Sequence, residues 1–106
     1  MHFLRTAFLL VGLFLFSPLL HAAKIKLGID VLQEHQFDKL KGKRVGLITN
    51  ATGIDSRGVS TIDILRHAPG VNLVALFGPE HGVYGADWAG AYVASSKDPH
   101  TDLPVY

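Results

Sequence analysis

Glu80 and His81 stand side by side in Gly78-Pro79-Glu80-His81-Gly82, where the apolar run Val71-Asn72-Leu73-Val74-Ala75-Leu76-Phe77 ends. A carboxylic acid beside an imidazole can carry general acid and base work when neighbouring groups orient the pair, and apolar or aromatic surroundings would raise a carboxyl pKa toward working pH. The alternative is a solvated turn. A Gly-Pro before the pair and a glycine after it impose an unusual backbone path directly after a buried strand, which favours chemistry. Asn50 and Thr52, in Asn50-Ala51-Thr52-Gly53, could exchange hydrogen bonds with a polar ligand, although the same letters are ordinary turn chemistry. They also spell a glycosylation sequon, a short and frequent motif.

The elements that would position these groups follow from periodicity. Val71–Phe77 reads as a strand buried on both faces, as in a parallel sheet covered by helices. Arg44–Thr49 is a second such run, and it leads into a loop of turn formers at residues 50–58. Between the two strands Ser60 can cap a helix through Ala68, with Asp63 as box partner and Pro69-Gly70 as the stop. Strand, helix and strand in this order predict an α/β fold: the start of a Rossmann-like parallel sheet built on a βαβ crossover, and incomplete. Both loops would then open at the carboxyl edge, where open α/β sheets keep their ligands. Upstream, Ile25–Ile29 alternates like an edge strand, Asp30 is a possible cap, and Val31–Leu40 has roughly helical spacing that Phe37 fits poorly.

Composition narrows the function classes. From Lys24 onward nine basic residues face nine acidic ones, a balance that leaves no electrostatic footprint for nucleic acid or an anionic membrane surface. Residues 1–23 read as a secretory signal peptide: Arg5, the uncharged stretch Thr6–Leu20, then Leu20-His21-Ala22-Ala23 for a peptidase. The apolar stretch falls short of the ~20 residues that cross a bilayer, so no stable membrane anchor is expected after cleavage. With no cysteine, neither a lipid attachment site nor a disulfide framework is available, and the product is expected to be periplasmic or secreted. Residues 24–106 carry only part of a sheet. Such a piece is expected to be a truncated domain with unpaired strand edges, inactive alone.

Other chemistries fit less well. Glu80, His81, Asp87 and His100 are metal-ligand types, but their spacing matches no metal motif, and no metal is expected. The Asn-Ala-Thr-Gly turn lacks the spaced glycines that admit a pyrophosphate, so no dinucleotide or other cofactor is expected. Tyr84, Trp88 and Tyr92 recur every four residues, which predicts a helical core stripe ahead of a platform for stacking a sugar ring.

Four ordered blocks closely resemble one family. Val45-Gly46-Leu47-Ile48-Thr49-Asn50-Ala51-Thr52-Gly53, Ser60-Thr61-Ile62-Asp63-Ile64-Leu65, Leu73–Gly82 and Thr101-Asp102-Leu103-Pro104-Val105-Tyr106 are similar to the NamZ-type exo-β-N-acetylmuramidases, exported bacterial glycosidases of cell-wall turnover. The resemblance implies a Rossmann-like N-terminal domain whose cleft with an auxiliary domain removes N-acetylmuramic acid from the non-reducing ends of peptidoglycan fragments. It also implies Glu80 as a catalytic carboxyl group, with His81 and Asn50 orienting substrate or tuning it. The second catalytic group would be Asp87, a downstream residue or the substrate's own acetamido group. The chain departs from the family where Tyr84 replaces a basic residue, Ala91 an acidic one and Asp102 a glycine; the first two bear on substrate contacts. A noncatalytic muropeptide-binding module, and a metal-dependent hydrolase using Glu80 and His81, are the competing classes.

Overall fold

A computed structural model describes residues 24–88, 90 and 94–106. The expected export signal and the positions of Ala91 and Tyr92 lie outside the described residues.

The βαβ unit forms as its periodicity predicts. Strand β1 (Arg44–Ile48) and strand β2 (Asn72–Phe77) pair in parallel, and between them runs a helix at Thr61–His67. The Ser60 side chain accepts the Ile62 N–H at 3.2 Å, which satisfies one of the free donors of the first turn. Asp63 lies in that turn and Arg66 and His67 in the last, so the charges complement the helix dipole.

An earlier helix, α1 (Gly28–Glu34), makes Thr61–His67 helix α2. This corrects the amino-terminal expectations. Residues 24–27 form no strand, and Ile25 is 89% exposed, so alternation there reflects a solvated lead-in. Asp30 lies inside α1, where its carboxylate accepts the Leu27 N–H at 3.4 Å and closes the first turn. The helix ends at Glu34 and does not reach Leu40, because Gln36 and Phe37 adopt left-handed backbone (φ 52° and 57°). That reversal carries Phe37 into the core.

The sheet has four strands in the order β1-β2-β4-β3, with β4 (Pro104–Val105) parallel to β2 and β3 (Ser96–Lys97) antiparallel to β4. It is a mixed α/β sheet, consistent with part of a Rossmann-like domain.

Along β1 exposure alternates residue by residue, with Val45 and Leu47 half-buried and Gly46 and Ile48 exposed. The register with β2 slips between Val45 and Gly46, leaving Val74 without a partner. Leu73 and Leu76 therefore share the face of Val45 and Leu47, beneath Ile62, Ile64 and Leu65 of α2. Each such buried aliphatic side chain contributes about 1.5–3 kcal/mol of transfer free energy.

Burial of β2 on both faces is not what the structure has. Among the described residues the second face is open: Ile48, Phe77 and Tyr106 are exposed there, with the Phe77 and Tyr106 rings stacked at 5.5 Å. Gly46 lets the Phe77 ring lie close against β1, since a Cβ would stand 2.8 Å from it and the ring would have to move.

Candidate active site

Adjacent parallel strands bring their following loops to one edge. Ile48 pairs with Phe77, so the Asn50 turn and the Glu80 loop leave the sheet side by side. They also lie close together: a Cβ on Gly85 would come within 3.5 Å of the Ala51 side chain.

The Asn50 turn is closed by its own side chains. Asn50 Oδ1 accepts the Thr52 N–H at 3.0 Å and the Thr52 hydroxyl at 2.7 Å, a self-bonded Asx turn. The turn residues alternative holds for that oxygen. Both residues are exposed.

In the next loop, Gly78 admits a close backbone crossing, where a Cβ would lie 2.9 Å from the Val83 nitrogen. Gly82 N–H then donates to the Pro79 carbonyl at 2.9 Å. His81 and Gly82 are both left-handed (φ 74°), a conformation that costs about 1–2 kcal/mol at the histidine. Asp87 holds it in place. Its N–H donates to the His81 carbonyl at 3.2 Å, and its own carbonyl lies 2.7 Å from His81 Nδ1.

A carbonyl only accepts, so Nδ1 carries the proton and a neutral His81 presents its lone pair at Nε2. The Asp87 carboxylate reaches over Gly82, whose Cβ would meet Oδ2 at 2.6 Å. Glu80 is exposed, so the apolar enclosure expected around its carboxyl is absent among the described residues.

Beside the loop, a cavity of about 160 Å³ is lined by His81, Tyr84, Asp87, Lys97, Asp98 and Val105, among others, but not by Glu80. Tyr84 donates its hydroxyl to Asp98 Oδ1 at 2.7 Å. Among the described residues the predicted core stripe does not form: residues 80–85 are turns, and Trp88 is 85% exposed. Nor do the metal-ligand types converge, since among the described residues no three His, Asp or Glu side chains could hold an ion. The His100 ring packs edge-on to Tyr84 instead.

Two buried carboxylates went unmarked in the sequence. Asp55 accepts from the Arg57 and Val59 backbone N–H groups, the Arg57 guanidinium and Gln33. Burial pushes its pKa up, but those donors outweigh it and hold the carboxyl well below the usual range. Asp98 is only 2% exposed. It too is held low, burial being outweighed by hydrogen bonds from Thr101, Tyr84 and the His100 backbone.

Burial, then the bond to Asp98 and the Asp98 and Asp63 charges, push the Tyr84 phenol up to about 12. The stability linked to that raised value is complete below the ordinary 10.0 and is lost as pH climbs through about 12. Tyrosinate absorbance is therefore expected to show Tyr84 ionising late, together with opening of its loop. The two lowered carboxylates act at the other end of the scale: their contribution is present above about pH 4 and disappears on acidification, which circular dichroism would record.

Residues 45–106 match the family described as "Exo-beta-N-acetylmuramidase NamZ, N-terminal". The chain is 49% identical over 83 residues to the peptidoglycan beta-N-acetylmuramidase NamZ of Bacillus subtilis (strain 168), an alignment covering 78% of this chain and 20% of that protein. It is also similar to the crystal structure of a DUF1343 family protein from Bacteroides fragilis, with a TM-score of 0.67 and 58% identity over 76% of this chain and 19% of that one. The chain thus spans about a fifth of the length of these relatives. Matched across both strands and both loops of the candidate site, and half identical to a named member, the chain belongs to the NamZ exo-β-N-acetylmuramidase family.

Proposed function

We propose that the chain contributes the Glu80 side of the active site in an exported exo-glycosidase that releases N-acetylmuramic acid from the non-reducing ends of peptidoglycan fragments. The observation that carries this reading is the placement of the Glu80-His81 loop against the Asn50 turn, at the carboxyl edge of parallel neighbours β1 and β2. The relative that is 49% identical is named for the same bond.

Cleaving a glycosidic bond takes an acid at the leaving oxygen and a second group at the opposite face of the ring. Glu80 is assigned the acid. Its exposure gives a substrate direct access to the carboxyl. His81, whose Nδ1 is held by the Asp87 carbonyl, and Asp87, whose carboxylate crosses Gly82, flank it as groups that orient substrate or take a proton. Asn50 and Thr52 form the facing wall. Residues 1–23 would direct export to the periplasm or the medium.

Product analysis tests this. A full-length family member carrying this segment, given muropeptides with a terminal muramic acid, is expected to release the free amino sugar, with chelators having no effect. Binding without release would assign a wall-binding module instead, and loss of activity with chelator followed by recovery with zinc would assign a metallohydrolase.

A further inference from the structure

Asp98 is a carboxylate almost without solvent, and among the described residues no cation bonds to it. Burying such a charge is costly unless several donors compensate. The donors closest to it are the Thr101 N–H at 2.8 Å, the Thr101 hydroxyl and the Tyr84 hydroxyl at 2.7 Å, with the His100 backbone beside them in the same turn as Thr101. The two Thr101 bonds are local, closing the turn between β3 and β4. Only the bond from Tyr84 reaches a different segment, and that segment is the Glu80 loop.

Within the loop most bonds are internal: Gly82 to Pro79, Gly85 to Gly82, and His81 with Asp87 in both directions. They shape it without fixing it to the sheet. Its start is anchored where Gly78 N–H donates to the Tyr106 carbonyl at 2.9 Å. Beyond that point Val83 is buried, and the Tyr84 hydroxyl is the side-chain donor that ties residues 79–87 to another segment among the described residues. The receiving turn is itself braced, since Arg66 of α2 donates to the His100 carbonyl at 2.6 Å. Helix, turn, Asp98 and Tyr84 form one contiguous line to the loop.

We propose that Asp98 is a positioning residue for the Glu80-His81 loop, docking it through the Tyr84 hydroxyl onto the turn between β3 and β4, so that turnover depends on a carboxylate that never meets substrate. The proposal rests on the glycosidase reading of Glu80. It also gives the Tyr84 hydroxyl a supporting role.

Tyr84→Phe, Asp98→Asn and the double variant are compared in a full-length family member carrying this segment. Two readouts are used: kinetics on a chromogenic muramic acid glycoside, and hydrogen exchange of residues 79–87. Each single variant is expected to lower kcat by about tenfold, because a displaced reacting group is costly even over short distances, with KM within about twofold. The double variant is expected to be no worse than the more severe single one, as for two ends of one bond. Exchange should rise in residues 79–87 and stay unchanged in β1, β2 and α2.

Unchanged kcat, additive losses, or exchange rising throughout the sheet would each overturn the dock. If Asp98→Asn does not fold, the half-exposed Tyr84→Phe decides alone. If the wild type releases no product the glycosidase reading falls, and exchange still decides whether Asp98 holds the loop.

Discussion

Glu80→Gln, in a full-length family member carrying this segment, is expected to reduce turnover of a chromogenic muramic acid glycoside by about 10²–10⁴-fold, the range that general acid catalysis contributes. The amide keeps the shape of the side chain and removes the ionisable proton. Because Glu80 is exposed and lies outside the apolar core, the substitution leaves packing untouched, and the thermal midpoint should match the wild type. KM should change little, since the lost interaction belongs to the transition state. Activity within a few fold of wild type would remove Glu80 from the reaction.

The largest effect on stability is expected at Leu76, which is fully buried at the centre of the sheet beside β1 and β4. Leu76→Ala removes aliphatic volume where strand neighbours restrict collapse, and the expected cost is about 3–5 kcal/mol. Denaturant titration would measure it as a lowered midpoint at unchanged slope. A loss below ~1 kcal/mol would mean that the α2 layer does not pack on β2 as described. The same substitution at Ile48, on the open face, should cost far less.

The parts legible in the sequence are those coded by neighbours along the chain. Ser60 followed by an apolar period and Pro69-Gly70 located α2 to within a residue of its bounds, and the runs at Arg44 and Val71 located the paired strands. Phe37 broke the helical spacing because the chain reverses there. Strands β3 and β4 were illegible, being two residues long and defined by partners rather than pattern. The edge placement of Glu80, His81, Asn50 and Thr52 followed from strand order.

Asp98 did not follow from it. Its burial depends on Tyr84, fourteen residues away, and the local trace is only Asp98-Pro99-His100-Thr101, an aspartate capping the N–H three residues on. Asp55 takes most of its bonds from Arg57 and Val59 close along the chain, and only the bond from Gln33 reaches it from a separate helix. The four-residue aromatic spacing misled because its glycines, Gly82, Gly85 and Gly90, all adopt positive φ, which no helix sustains.

Val74, the residue of β2 that β1 leaves unmatched, has a consequence for how the strand before the loop can vary in length. A strand presents successive residues to opposite sides, and the bulge sets two residues of β2 against one of β1, so the extra position is absorbed locally and the pairing beyond it is kept. With Val74 present, Phe77 emerges opposite the helix and Gly78 starts the crossing that leads to Glu80. Since Ala75, Leu76 and Phe77 keep their partners Gly46, Leu47 and Ile48 without Val74, removing it would leave a plain ladder and the same exit, whereas removing Ala75 or Leu76, which are paired, would shift that register and redirect the glutamate.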